Sequence, residues 1–232
     1  MASLRLFSKP LSFTWLAAVP FLLVLGGCAT DRSNLKIGQA ETVQAVAPLT
    51  GKSVLVRNVR DARVFEEKPG NPSTPSMGFG DLASADAERL KKRAIGRKRN
   101  TFGQALGDVM LDEGQTVEGM VSKSIKDAFA ESGYAIIDNP SLAKPETLIV
   151  DARIDRFWAW VKPGFWALTF SGDISTDLAV TTQTGERKLN TVVSSHAEQS
   201  RQTGVESNWI EIYDEALAIY RASLKSHISE IR

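Results

Sequence analysis

Hydrophobic positions along this chain change period several times, and each change predicts an element. Ser53 to Phe65 is rich in valine and alternates through Val54, Val56 and Val59, which predicts a strand. From Thr116 the rhythm becomes helical: Val117, Met120, Val121, Ile125, Ala128 and Phe129 fall on one face. Thr116 is the expected N-cap and Gly133 the stop. Tyr134 to Asp138 predicts a short strand, and Leu148 to Val161 a longer one turned back at Pro163-Gly164. The returning strand has the cleanest alternation. Trp166, Leu168, Phe170, Gly172, Ile174, Leu178 and Val180 lie on one side, and Thr169, Ser171, Asp173, Ser175 and Asp177 on the other. Thr184-Gly185 turns into a third antiparallel strand, Leu189 to about Gln199. Asn208 with Glu211 reads as a capping box before Trp209, Tyr213, Ala216, Leu217, Tyr220, Leu224 and Ile228, a long amphipathic helix. The order β-α-β-β-β-β-α predicts an α+β domain, an antiparallel-dominated sheet with two main helices on one face.

Between the first strand and the first long helix the pattern lapses. Residues 66–82 hold Pro69, Gly70, Pro72, Pro75, Gly78 and Gly80, which sustain neither helix nor ladder, so a long exposed loop is expected. Ser84 to Ile95 predicts a short helix ended by Gly96. It leads into a basic cluster: Arg89, Lys91, Lys92, Arg93, Arg97, Lys98 and Arg99.

The first segment has a different character. Arg5 and Lys9 precede an apolar run from Leu11 to Leu25, interrupted by Pro20, and Gly26-Gly27-Cys28 closes it. These are the parts of a secretory signal, too short and broken for a spanning helix. Leu25-Gly26-Gly27-Cys28 resembles the lipobox of bacterial lipoproteins, in which the bond before the cysteine is cut and the cysteine acylated. The resemblance implies a signal peptide over 1–27, cleavage between Gly27 and Cys28, and an acylated Cys28 on a flexible tether over 28–50. One periplasmic domain over 51–232 would follow. Ala29, where aspartate would favour the inner membrane, points to the periplasmic face of the outer membrane. Cys28 is the only cysteine, so acylation leaves no thiol for a disulfide, a metal or a nucleophile.

Charge narrows the partners. The formal net charge of +1 falls to about −1 once Arg5 and Lys9 are removed, which argues against nucleic acid. His196 and His227 are the only histidines and have no neighbour at metal-ligand spacing. With no nucleophile elbow, phosphate loop or dinucleotide fingerprint, neither catalysis nor a cofactor is expected. Asp151, Asp155, Asp173 and Asp177 suggest paired carboxylates or a calcium site. Solvated charge on the outer face, with Arg153 opposing Asp173, is the simpler reading.

The segment from Trp158 to Trp166 concentrates large rings around a turn. If Trp158, Trp160 and Trp166 line the core, Phe165 is left outside. If a bulge near Asp155 switches the parity, Phe157 and Val161 turn inward and Trp158 and Trp160 face out. Either way aromatic surface remains near the turn. Trp158, Trp160, Phe165, Trp166, Arg93, Arg97, Lys98 and Arg99 are therefore the candidate contacts for a membrane or an envelope partner.

Asp61-Ala62-Arg63, Ala130-Glu131-Ser132-Gly133-Tyr134, Leu148-Ile149-Val150-Asp151-Ala152 and the terminal amphipathic helix resemble the YajG-type family of bacterial lipoproteins. The layout is also similar to the curli secretion lipoprotein and to the amino-terminal domain of the Tol-system β-propeller protein. These resemblances imply a small periplasmic α/β domain and carry over no catalytic residue. The expected function is a lipid-anchored, non-enzymatic accessory or adaptor. The alternative is an accessory for lipid or lipopolysaccharide transport, with Trp166, Leu168 and Phe170 lining an apolar cavity.

Overall fold

The computed structural model describes residues 32–38, 51–78 and 85–231. They form an α+β domain around an eight-stranded mixed sheet. The strands are β1 (Ser33–Leu35), β2 (Ser53–Asp61), β3 (Ala94–Arg99), β4 (Ala105–Leu111), β5 (Ala135–Ile136), β6 (Leu148–Pro163), β7 (Leu168–Thr182) and β8 (Arg187–Arg201). The helices are α1 (Ala85–Lys91), α2 (Val117–Glu131) and α3 (Glu206–Ile228), and Pro140–Leu142 is a short 3-10 turn.

The β6-β7-β8 meander is antiparallel and carries the longest ladders. The other edge of β6 is shared. Its first half pairs in parallel with β2, which continues to β5, and its second half meets β3 at Ala159, with β4 and β1 beyond. The sheet thus forks along one edge of a single long strand.

α2 and α3 pack on one face over the main core, as their apolar stripes predict. Thr116 caps α2 by accepting the Gly119 N–H at 3.1 Å, and Gly133 follows it at φ 87°. The α3 cap differs from expectation. The helix starts at Glu206, so Asn208 lies inside the first turn and its side chain accepts the Val205 N–H at 3.2 Å. Close approach by α3 needs glycines on the sheet. A Cβ on Gly96 would lie 2.8 Å from the Ala159 carbonyl oxygen and 2.9 Å from the Trp209 ring. Gly96→Ala is expected to cost about 1–3 kcal/mol, read as a lower Tm in a thermal melt.

Three segments depart from the sequence reading. Ile95 and Gly96 belong to β3, because α1 ends at Lys91 and the chain then pairs with β4. Where a tether over 28–50 was expected, residues 33–35 form β1 and Leu35 and Ile37 are buried in the main core. The rest of that stretch lies outside the described residues, as do residues 79–82 of the expected loop.

The described part of that loop is not an exposed excursion. Pro75, Ser76 and Met77 are buried, and with α1 the segment covers the sheet face opposite the helices. A second core results: Met77, Ala87, Ala94, Met110, Trp158 and Trp160, with Phe65 and Leu90 against it. Three local contacts hold the cap in place. Glu66 N–H bonds to the Pro75 carbonyl at 2.9 Å, Trp158 Nε1 donates to the Pro72 carbonyl at 3.1 Å, and Arg97 donates to the Met77 carbonyl at 2.9 Å.

Candidate functional site

The expected cleavage and acylation residues, Gly27 and Cys28, lie outside the described residues. The chain enters the structure at Arg32, whose guanidinium sits 3.5 Å from the buried Asp108 carboxylate. Ser33 then bonds to Lys98 Nζ at 2.6 Å and to the Glu206 carboxylate, so β1 is tied to β3 and to the start of α3.

The aromatic segment is divided by a β-bulge between Ile154 and Arg156. One extra residue reverses the parity of the strand beyond it, so Phe157 and Val161 turn into the helix-covered core, where Phe157 stacks on Tyr213 at 5.1 Å. Trp158 and Trp160 point to the opposite face. They are 0% and 6% exposed because the 65–77 segment and α1 lie over them, and Trp158 meets Phe65 edge-on at 6.0 Å. At the β6-β7 turn the rings are open. Phe165 and Trp166 are 89% and 81% exposed and pack edge to face at 4.6 Å, above a turn closed by Gly164 N–H to the Ala167 carbonyl at 2.8 Å.

A third ring joins them. Phe102, 88% exposed, sits at the tip of the β3-β4 hairpin, between Asn100 and Gly103. Sequence reasoning missed it. The available signal was an aromatic residue inside an Asn-Thr-Phe-Gly turn, invisible while the flanking residues were read as helix and loop.

The candidate basic residues sit mostly on β3 and bond within the domain. Arg93 donates to the Leu111 carbonyl and to Asn34, and Arg97 lies 3.7 Å from Asp108. Lys98 reaches Ser33. Arg99 donates to the Pro69 and Gly103 carbonyls and to Ser76. Burial, and then the charge of Arg97, lower the pKa of Arg99 below the usual guanidinium value.

Between the two hairpins and the start of α3 opens a cavity of about 170 Å³. Arg99, Leu106, Pro163, Leu168, Phe170 and Trp209 are among its walls. Leu168 and Phe170 line it as the transport alternative requires, but Trp166 does not. Its volume is below the roughly 300–1,000 Å³ of ordinary small-molecule sites.

The outer face of the meander carries a band of ion pairs. Arg57 binds Asp151, Arg153 binds Asp177, and Arg156 binds Asp173 at 2.8 Å. Arg153 was expected to oppose Asp173, but the β6-β7 register sets it directly opposite Asp177 and leaves Asp173 to Arg156. His196 Nδ1 lies 2.6 Å from the other Asp173 oxygen, and His227 Nδ1 lies 3.7 Å from Glu230. Burial, then repulsion from Asp177, raises the pKa of Asp155 above the usual carboxylate value. Among the described residues no group of three or more His, Cys, Asp or Glu side chains is placed to hold a metal ion.

No protein-family model matches the chain, and no curated protein matches it. The fold is similar to solved structures at low identity. A DUF330-family protein from Xanthomonas campestris shares 11% identity at a TM-score of 0.42, covering 79% of this chain and 91% of its own. A minor lipoprotein from Acinetobacter baumannii shares 10% identity at a TM-score of 0.33, covering 50% of this chain and 85% of its own.

Proposed function

We propose that this protein is a lipid-anchored accessory of the bacterial cell envelope. It is held by acyl chains on Cys28 at the periplasmic face of the outer membrane and works by contact rather than catalysis. Leu25-Gly26-Gly27-Cys28 behind a basic start and an apolar run carries the anchoring. No helix of the described residues is long and apolar enough to cross a membrane. Each buried methylene of an acyl chain contributes about 0.8 kcal/mol, and stable attachment takes more than one chain. The contact surface is the open aromatic turn. Phe165 and Trp166 are held out to solvent at the end of a long two-stranded ladder, where nothing in the core needs them.

Metabolic labelling with a clickable palmitate tests the anchor. The parent chain should take the label and fractionate with membranes. Cys28→Ser should lose the label, keep its uncut length and leave the outer-membrane fraction. An unlabelled parent, or a Cys28→Ser chain that fractionates like the parent, counts against the reading.

A further inference from the structure

Every exposed aromatic ring of the described residues lies at one end of the domain. Strand register defines that end. β3 runs parallel to β6 with Gly96 beside Ala159, so Arg99 and Lys162 reach the same level and the turns at 100–104 and 164–167 project together. Phe102 tops one turn, and Phe165 and Trp166 top the other. The cavity walls confirm the convergence, since Arg99 and Leu106 of one hairpin face Pro163 and Leu168 of the other, with Gly204 before α3.

The N-terminal strand begins near the same end. β1 runs parallel to β4 with Ser33 beside Val109, heading away from the tips, so its start faces them. Its ties to Lys98 and Glu206 hold it there. Only four peptide units separate Arg32 from Cys28, and a fully extended chain covers at most about 14 Å over them. From Val109 back to Ala105, where the β3-β4 turn begins, β4 also covers roughly 14 Å. The two lengths match. Acyl chains on Cys28 therefore hold the start of β1 within about 14 Å of the anchor, and an approach with the hairpin tips toward the bilayer is within reach.

We infer that this end of the domain beds in the membrane that carries the anchor. Phe102, Phe165 and Trp166 enter the interfacial region, and Lys162 meets anionic headgroups. The inference rests on the acylation of Cys28 proposed above. Each part of the surface suits a lipid boundary. Tryptophan combines an apolar ring with an N–H that stays wet, and it favours the headgroup level. Lys162 is exposed on the last turn of the ladder and can lay its stem along the apolar boundary while its ammonium reaches phosphate. Two separate tips fit a fluid phase that accepts each ring independently. A protein partner would need a matched socket for each.

The test uses the full chain, purified from membranes and reconstituted into phosphatidylcholine–phosphatidylglycerol vesicles with brominated acyl chains. Trp158, Trp160 and Trp209 are buried, so the difference in emission between parent and Trp166→Phe reports Trp166. The expected result is that brominated chains abolish this difference signal while aqueous acrylamide leaves it nearly unchanged. Palmitate-labelled protein that floats with the vesicles while Trp166 stays open to acrylamide overturns the inference and leaves this end to a protein partner. In that case the anchor stands. Protein with no label that neither floats nor shows quenching overturns the anchor and the inference together. Quenching without label supports the membrane contact and rejects Cys28 as its cause.

Discussion

Arg63→Met should lower the stability of the domain by about 3–5 kcal/mol, the usual result of breaking a buried ion pair from one side. The reason lies at the fork of the sheet. β2 leaves the edge of β6 at Ile154 and β3 joins it at Ala159, so backbone carbonyls in the gap lack a strand partner. The Arg63 side chain is fully buried there. It donates to the carbonyls of Ala94 at 2.6 Å, Phe157 at 2.9 Å and Lys91 at 2.6 Å, and holds both Asp61 oxygens at 2.8 and 2.9 Å. Only a guanidinium offers five donors in a planar fork. Methionine fills similar space and leaves the carbonyls and the carboxylate unsatisfied. Arg63→Lys keeps the charge but cannot span the same acceptors, so it should fall between parent and Arg63→Met. For a domain of this size the methionine variant should melt about 10 °C lower. Urea titration supplies the free energy directly, and a change under about 0.5 kcal/mol would show that the fork does not depend on this side chain.

Trp158→Ala should cost about 3–5 kcal/mol, whereas Trp166→Ala should stay within about 0.5 kcal/mol of the parent. Both residues belong to one aromatic stripe in the sequence, and the difference is one of cover. Trp158 is enclosed between β6 and the 65–77 segment, touching Phe65 and bonding to the Pro72 carbonyl, so its loss empties the second core and unties the cap. Trypsin should then cut at Lys68 faster than in the parent, while Trp166→Ala should leave cutting unchanged. Equal stability of the two variants would mean that the cap does not seal this face. The contrast also limits the use of Trp158 and Trp160 as probes of binding. Changing them perturbs the fold, so contact experiments belong at Phe165 and Trp166.

The sequence made α2, α3 and the meander legible because each buries one face against one core, and a single face leaves a clean period. Thr116, Gly133 and the alternation through β7 mark their own positions in this way. β3 and β4 were illegible for the opposite reason. β3 mixes the buried Ala94, Ile95 and Gly96 with three basic residues, and Arg97 and Arg99 are turned inward onto backbone carbonyls of the cap. Composition alone reads such a run as a solvated surface. The second half of β6 is buried on both sides, which erases alternation and leaves the unbroken run Phe157-Trp158-Ala159-Trp160-Val161. That run was the available sign of a second covering layer.

Local chemistry in the sequence thus determined the α+β class, the two long helices and the aromatic turn, since each depends on neighbours a few residues apart. Only the tertiary structure decided which rings of that turn face solvent. Their burial depends on a Pro/Gly segment some eighty to ninety residues earlier, and on a bulge whose parity shift has no signature until both strands pair. The same long-range pairing joined Phe102 to Phe165 and Trp166 and placed the start of β1 beside them, turning scattered exposed residues into one surface.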